Sequence, residues 1–456
     1  MTDTEKTIGE KAKLFDDLYS EIIPQRIPID FNLSSEVYIA NAGLSLGQTM
    51  WTLEGLEEAM GKVVPNIKAD ILPKDSGRLP LFSQISGSVA SVMSETGFMQ
   101  HPETTSMQVE EYDAFIASPY DFIIEKLLQR LFPKLTENPY RAMLVLHTAL
   151  QAKDDTMKKF GAVYANVSKK FGFYNIPGQY ASRALAPLDI VADHPRGFTG
   201  MSKDLKRCPE KVIAAAEAVL PMLVQAAKPA QTSHLGSAWM PGHMPTFMRT
   251  SEFEKFYYPT FSKLIHATAE NGQAFKIFCE DDWTRYFDYL QDLPQGTRFI
   301  FEYGDPKLAK EKLGKKHILS GFYPITLLKT GTKEQCVDKA KELIDILAPG
   351  GNYYFNFDKT ILTLGSIKLE NLYAVIDYVH ENGTYTNAGQ RSTVQDKKDT
   401  IKPVLKDIPK FKSKYYISAE QYRAENKYIL PDCEEIMYRQ VQQYEDAMFK
   451  SIMGVF

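Results

Sequence analysis

Cysteine is scarce in this chain. Four residues in 456, Cys208, Cys279, Cys336 and Cys433, are scattered and form no CxxC pair. A disulfide framework is therefore not expected, and a reducing compartment is. Long apolar runs are also missing. No stretch of ~18 apolar residues exists to cross a membrane. Met1 to Glu21 is charged and lacks the apolar centre of a signal peptide. Together these absences lead us to expect a cytoplasmic protein. An excess of positive charge is lacking too. Lys and Arg number 53 against 57 Asp and Glu, a net charge of −4, which speaks against a nucleic-acid or anionic-membrane surface. The basic stretch Lys397 to Lys414 reads as solvated surface. Gly350-Gly351 fits neither the GxGxxG nor the GxxxxGK[ST] phosphate pattern. No Ser-His-Asp set stands out.

What is present is material for a large core: 44% hydrophobic against 24% charged residues. Thr4 to Ile23 reads as an amphipathic helix. Arg26 to Asn32 reads as a short buried strand ending in polar residues, and Thr49 to Gly61 as a helix. Pro65 to Gln108 reads as loops. Helices follow over Pro119–Phe132, Tyr140–Phe160 and Lys211–Ala227. From Ser237 strands and helices alternate. The strands are Phe275–Cys279, Thr297–Glu302, His317–Phe322 and Tyr353–Phe357. The intervening helices include Phe253–Asn271, Lys333–Leu347 and Leu369–Glu381. Asp305-Pro306 supplies an N-cap and a first-turn proline. Such alternation means βαβ units and a parallel sheet, either a barrel or a doubly wound sheet. After Gly389 the chain is Lys-rich, with helices expected at Ser418–Ala424 and Cys433–Ile452.

Between Ser251 and Tyr378 one ordered series of short pieces carries more. It runs Ser251-Glu-Phe-Glu-Lys-Phe-Tyr-Tyr-Pro259, Phe278-Cys-Glu280, Asp305, Lys310-Glu-Lys-Leu-Gly314 and Ser320-Gly-Phe-Tyr-Pro324. It continues with Leu328-Lys-Thr-Gly-Thr332, Gly350-Gly351 and Leu369-Glu-Asn-Leu372. Arg196-Gly-Phe198 and Arg207-Cys-Pro209 add to it upstream. In order and spacing the series resembles the C-terminal half of the uroporphyrinogen decarboxylase superfamily, over about a third of the chain. The resemblance implies an α/β fold, a (β/α)8 TIM-like barrel, as one unit over 1–456. The barrel would occupy 24–389, with a helical and loop insertion at about 65–230 and a C-terminal helical extension at 390–456.

Within that superfamily the porphyrinogen decarboxylases carry arginines after their first strand to hold substrate carboxylates. Here Asp30 is followed by Asn32, Ser34, Ser35 and Glu36, with no arginine. The long insertion and tail look more like the corrinoid-dependent methyltransferase branch, the O-demethylase methyltransferases of anaerobic metabolism. That branch implies a small methylated substrate, of which an aryl methyl ether is one example. It also implies a corrinoid (cobalamin-binding) partner protein, and in some members zinc. Decarboxylation of a uroporphyrinogen-like or other carboxylate is the alternative, and a non-enzymatic binding protein on a decayed barrel the third reading.

Barrel enzymes place their chemistry at the C-terminal strand ends, and that rule selects the candidates. Cys279 and Glu280 end one strand, and His243 sits in the loop Pro241-Gly-His-Met-Pro245. These three are the expected zinc ligands, since zinc takes sulfur, nitrogen and oxygen donors. Read blandly, Cys279 is a small buried hydrophobe and Glu280 part of a helix cap. The zinc-binding relatives place a His-x-Cys pair here and a second cysteine near Asp358. This sequence has Ile277 and Asp358-Lys359 instead. Glu280, His243 and Asp30 are the expected catalytic residues, Asp30 as general acid/base or as a loop cap. Asn32, Tyr323, Asn356, Asp358 and Lys359 are the expected substrate-binding residues. His317 begins its strand, at the wrong end for chemistry, and reads as structural.

Overall fold

The computed structural model describes residues 2–75, 80–392, 397–426 and 430–456. Residues 76–79 of the expected loop region, and 393–396 and 427–429 of the expected C-terminal extension, lie outside the described residues. The first helix, α1 (Asp3–Tyr19), opens on a capping box. Thr2 Oγ1 accepts the Glu5 amide at 3.2 Å, and the Glu5 carboxylate accepts the Thr2 amide at 2.8 Å. A two-stranded antiparallel ribbon, β1 (Val92–Met93) with β2 (Met99–Gln100), lies in the region expected to be loops.

The fold is mixed α/β around a five-stranded parallel sheet. Its strands are β3 (Ser182–Arg183), β4 (Ser237–Gly242), β5 (Ala274–Asp282), β6 (Arg298–Tyr303) and β7 (Ile318–Gly321), in sequential order. Helices such as Tyr258–Glu270 and Pro306–Leu313 connect them, as parallel pairing demands. Single parallel bridges continue the pairing: Leu319 with Tyr353, Tyr323 with Phe357, Ile29 with Phe355, Leu33 with Ile361, and Ile71 with Tyr174. The strands expected at Arg26–Asn32 and Tyr353–Phe357 thus occur as bridge-by-bridge contacts and not as continuous ladders.

Alternation along the strands divides the side chains between two cores. Phe275, Ile277 and Cys279 of β5, with Phe299 and Phe301 of β6, join a large core shared with the helices. Ile300 and Ile318 point the other way and pack with Tyr354 and with Phe15, Leu18 and Tyr19 of α1. Burying each such α1 side chain contributes about 1.5–3 kcal/mol, so α1 is held against the inner face of the sheet.

Three expected helices differ in detail. The one at Thr49–Gly61 is two, Leu46–Thr52 and Leu56–Gly61, split where Leu53 turns left-handed at φ 61°. The one at Tyr140–Phe160 runs on to Phe171, over Pro139–Phe171, and ends on left-handed Gly172. The one at Pro119–Phe132 is broken at Ile123–Leu127 by a wider turn. The tail helix, Glu434–Met453, packs through Phe449 against Tyr120, Phe411 and Tyr416. No helix among the described residues is long and apolar enough to cross a membrane.

One backbone position is unusually tight. Gly321 has φ +92°, and a Cβ there would lie 2.2 Å from the Phe301 carbonyl oxygen. Gly321→Ala is therefore expected to destabilise by at least ~1–3 kcal/mol, the range for a strained backbone position. The urea midpoint reads it, and a midpoint equal to wild type would contradict it.

Candidate functional site

The carboxyl ends of β4 and β5 lie side by side, with Gly242 opposite Cys279. His243, just past the end of β4, and Glu280, the next residue of β5, complete the pair. Nδ1–H of His243 donates to Oε2 of Glu280 at 2.6 Å; a carboxylate can only accept, which fixes the tautomer. Glu280 is 36% exposed and His243 23%, so the pair faces solvent on one side. Its backbone is fixed. Thr246 Oγ1 and Trp283 Nε1 both donate to the Glu280 carbonyl, at 3.1 and 3.0 Å. Tyr286 Oη donates to the Pro245 and Met248 carbonyls at 3.0 and 2.7 Å, closing the loop after His243.

A second carboxylate, which the sequence analysis passed over, lies beneath. Asp189 accepts the Met244 amide at 2.8 Å, the His243 amide at 3.3 Å and Tyr257 Oη at 2.9 Å. Tyr257 is the last residue of a wide helical turn at Phe253–Tyr257, a π-type turn of the kind often found at functional sites. Burial raises the Asp189 carboxyl to about 6, against the stabilising pull of His243 and the hydrogen bonds. Burial alone would depress the His243 imidazole. The Glu280 hydrogen bond and the charges of Asp189, Glu280 and Asp193 overcome it and hold the ring at about 9. At neutral pH His243 is thus an imidazolium, with Nδ1–H engaged by Glu280 and Nε2–H available as an acid.

Asp189→Asn puts an amide group where two backbone N–H groups need acceptors, and it removes a negative charge from beside the ring. The imidazole midpoint is expected to fall below about 9. A histidine NMR titration measures it, and an unmoved midpoint would show that Asp189 is irrelevant to the charge on His243.

Asp30 is placed elsewhere on the same inner face. It is buried, and its Oδ2 accepts Lys276 Nζ at 2.8 Å and Gln179 Nε2 at 2.9 Å. Lys276 also lies 5.2 Å from the Tyr180 ring centre and 5.0 Å from that of Tyr354, both within cation–π range. Burial opposes its charge, but Asp30 and the surrounding tyrosines raise its pKa well above the ordinary value. Neither Lys276 nor Asp189 was picked out from sequence. The signal was there in both cases: a charge inside an otherwise apolar segment, Phe275-Lys-Ile-Phe278 and Pro187-Leu-Asp-Ile-Val191.

A third group gathers at the end of β6. Lys359 Nζ pairs with Glu302 and donates to Tyr303 Oη at 3.3 Å. Glu302 also accepts the Asp281 amide at 2.9 Å. Asp358 is buried, accepts the Ile325 and Lys359 amides at 3.1 and 2.8 Å, and is raised by burial to about 6. Asn356 is buried and Asn32 half-buried near the same strand ends.

Two expected residues lie apart from these groups. Tyr323 is fully buried between Phe355 and Phe357, and its Oη donates to the Cys336 carbonyl at 2.9 Å on the helix side of the sheet. It does not share a cavity with Glu280. Cys279 is fully buried in the helix-side core, and burial pushes its thiol pKa well up. Neighbouring residues on a strand point to opposite faces, so Cys279 turns away from Glu280 and His243. The proposed His243–Cys279–Glu280 set therefore does not fit zinc. Among the described residues no group of three or more His, Cys, Asp or Glu is arranged to hold a metal ion. His317 is fully buried with its ring edge-on to Phe299, and burial lowers it to about 3.

No protein-family model matches the chain, and no curated protein matches it. Among solved structures, a methyltransferase from Methanosarcina mazei aligns at 12% identity with a TM-score of 0.47, covering 82% of this chain and 98% of that one.

Proposed function

We propose that the chain is a methyltransferase on a (β/α)8 barrel, moving a methyl group from a small methylated substrate to a corrinoid carried on a partner protein. An aryl methyl ether fits the scheme. The single observation that carries the proposal is the His243–Glu280 pair: an imidazolium held at the strand ends, facing solvent, with a free Nε2–H. A methyl ether oxygen is a poor leaving group until protonated. As its bond to the methyl carbon breaks, the electron pair stays on oxygen and the proton of His243 Nε2 neutralises it. Glu280 and Asp189 orient the ring and favour its charged form before the step. The corrinoid supplies the nucleophile that takes the methyl group.

Two further observations support the reading. The parallel bridges run from β7 through Tyr353 and Phe355 to Ile29, as a closing barrel requires. The inner face carries the aromatic rings Trp239, Phe278 and Tyr180, each partly exposed, and the Phe198 ring lies 6.4 Å from that of His243. Decarboxylation of a polycarboxylate finds less support. It needs several cations free at one site, yet Lys276 is paired with Asp30, Lys359 with Glu302, and Arg196 with Asp204. The test is methyl transfer to cob(I)alamin across methoxylated aromatics and methylamines, scored by release of the demethylated product. Folded protein that releases none from any substrate would defeat the proposal.

A further inference from the structure

The amino ends of the strands hold a cavity of about 530 Å³, at the opposite end of the sheet from His243 and Glu280. Ala274, Arg298 and Ile318, the first residues of β5, β6 and β7, line it. From Ala274 to Glu280 the strand rises roughly 20 Å, so the two places are separate. The volume lies in the range of small-molecule sites, ~300–1,000 Å³. Ile265, Phe275 and Ile401 give it apolar walls.

Its polar wall is unusual in what it leaves unmatched. Arg298 is 2% exposed. Its two terminal nitrogens donate to the Leu235 and His234 carbonyls at 2.9 and 2.8 Å, and the guanidinium lies over the Tyr19 ring at 3.5 Å from its centre. Nε has no hydrogen-bond partner, and Asp30, the carboxylate whose charge acts on it, is paired with Lys276 instead. Gln273, also 2% exposed, has neither amide atom bonded. The other charged groups are already engaged. His234 Nε2 meets Asp16 at 2.7 Å, and the Glu270 carboxylate accepts the Val404 and Leu405 amides. A buried cation whose nearby carboxylate is already paired with another cation is costly, as are buried amide atoms without partners. An anion with further hydrogen-bonding capacity relieves both costs.

We propose that this cavity is a second binding site, for a small carboxylate with an apolar body. The carboxylate faces Arg298 and Gln273, and the body lies against the apolar walls. Guanidinium groups suit carboxylates through paired N–H donors. Occupancy would reach the rest of the fold through α1, because Tyr19 is shared by the cavity and the inner core.

The experiment is calorimetric titration of the full chain with benzoate and, separately, with inorganic phosphate. Benzoate is expected to saturate one such site, and phosphate, lacking the apolar body, to bind roughly tenfold more weakly or worse. Arg298→Gln should weaken benzoate roughly tenfold or more. Because Arg298 also ties down two carbonyls, a second variant is needed. Ala269→Phe places a ring on the cavity lining while keeping both Arg298 and Gln273, and should abolish the binding while leaving the melting profile near wild type. Absence of saturable benzoate binding overturns the proposal. So does binding that survives Ala269→Phe, which would lie at the other end of the sheet, and so does phosphate that binds as tightly as benzoate.

Discussion

Replacing His243 by Gln is expected to slow methyl transfer by roughly 10²–10⁴-fold, the usual contribution of a positioned proton donor. Substrate affinity should change far less, because the imidazolium acts on charge that develops during bond breaking. The pH profile is the sharper reading. With the ring held at about 9, the acid form persists through neutrality, so the rate stays level up to about that pH and falls above it. Glu280→Gln removes the charged acceptor of Nδ1–H, and the fall should move to lower pH. A profile unchanged in Glu280→Gln would separate the two residues functionally. The same pair predicts a stability effect of defined sign. The imidazole pKa is raised on folding, so its stabilising contribution is fully present below the unfolded value of ~6.5 and is lost as pH rises through about 9. The stability gap between wild type and Glu280→Gln should therefore shrink as pH passes 9, readable by urea unfolding at a series of pH values.

Lys276→Met is expected to be the most destabilising single change, at about 3–5 kcal/mol, because it leaves a buried carboxylate without its counter-charge. Asp30 is 4% exposed and would keep only the Gln179 hydrogen bond. The reverse change, Asp30→Asn, strands the ammonium instead. The double variant Lys276→Met with Asp30→Asn should recover most of the loss, since it is the unpaired charge that is costly and the pair itself adds little net. Urea midpoints of the two single variants and the double one form the cycle. If each single variant costs under ~1 kcal/mol, the value of an exposed pair, the placement of this ion pair within the sheet interior is wrong.

The alternation of strands and helices after Ser237 was legible because each strand is a short apolar run bounded by a turn signal. β5, β6 and β7 fall where the sequence places them, within a few residues. Before Ser237 the reading was poorer for a physical reason. The strand contacts there are single bridges such as Ile71 with Tyr174, or the two residues of β3. Runs that short leave no periodicity to read. For the site, the pairing of His243 with Glu280 was open to inspection only as two candidates, one on a loop and one at a strand end; the register of β4 against β5 brings them together. Cys279 was misplaced because the strand continues past it to Asp282. Seen as part of a strand and not as its end, it must face away from Glu280. Tyr323 follows the same rule: its parallel bridge to Phe357 sends the ring into the helix-side core.

The contact between Tyr19 and Arg298 joins a residue near the start of the chain to one almost three hundred positions later. On the ribosome, α1 emerges long before β6 exists, and its apolar side must wait exposed or sheltered by a chaperone. Slow, topologically distant closure of this kind sets folding rate more than stability. Conditional mutations in α1 would then act as synthesis defects: poor yield and aggregation at elevated growth temperature, with near-normal behaviour of whatever protein completes its fold.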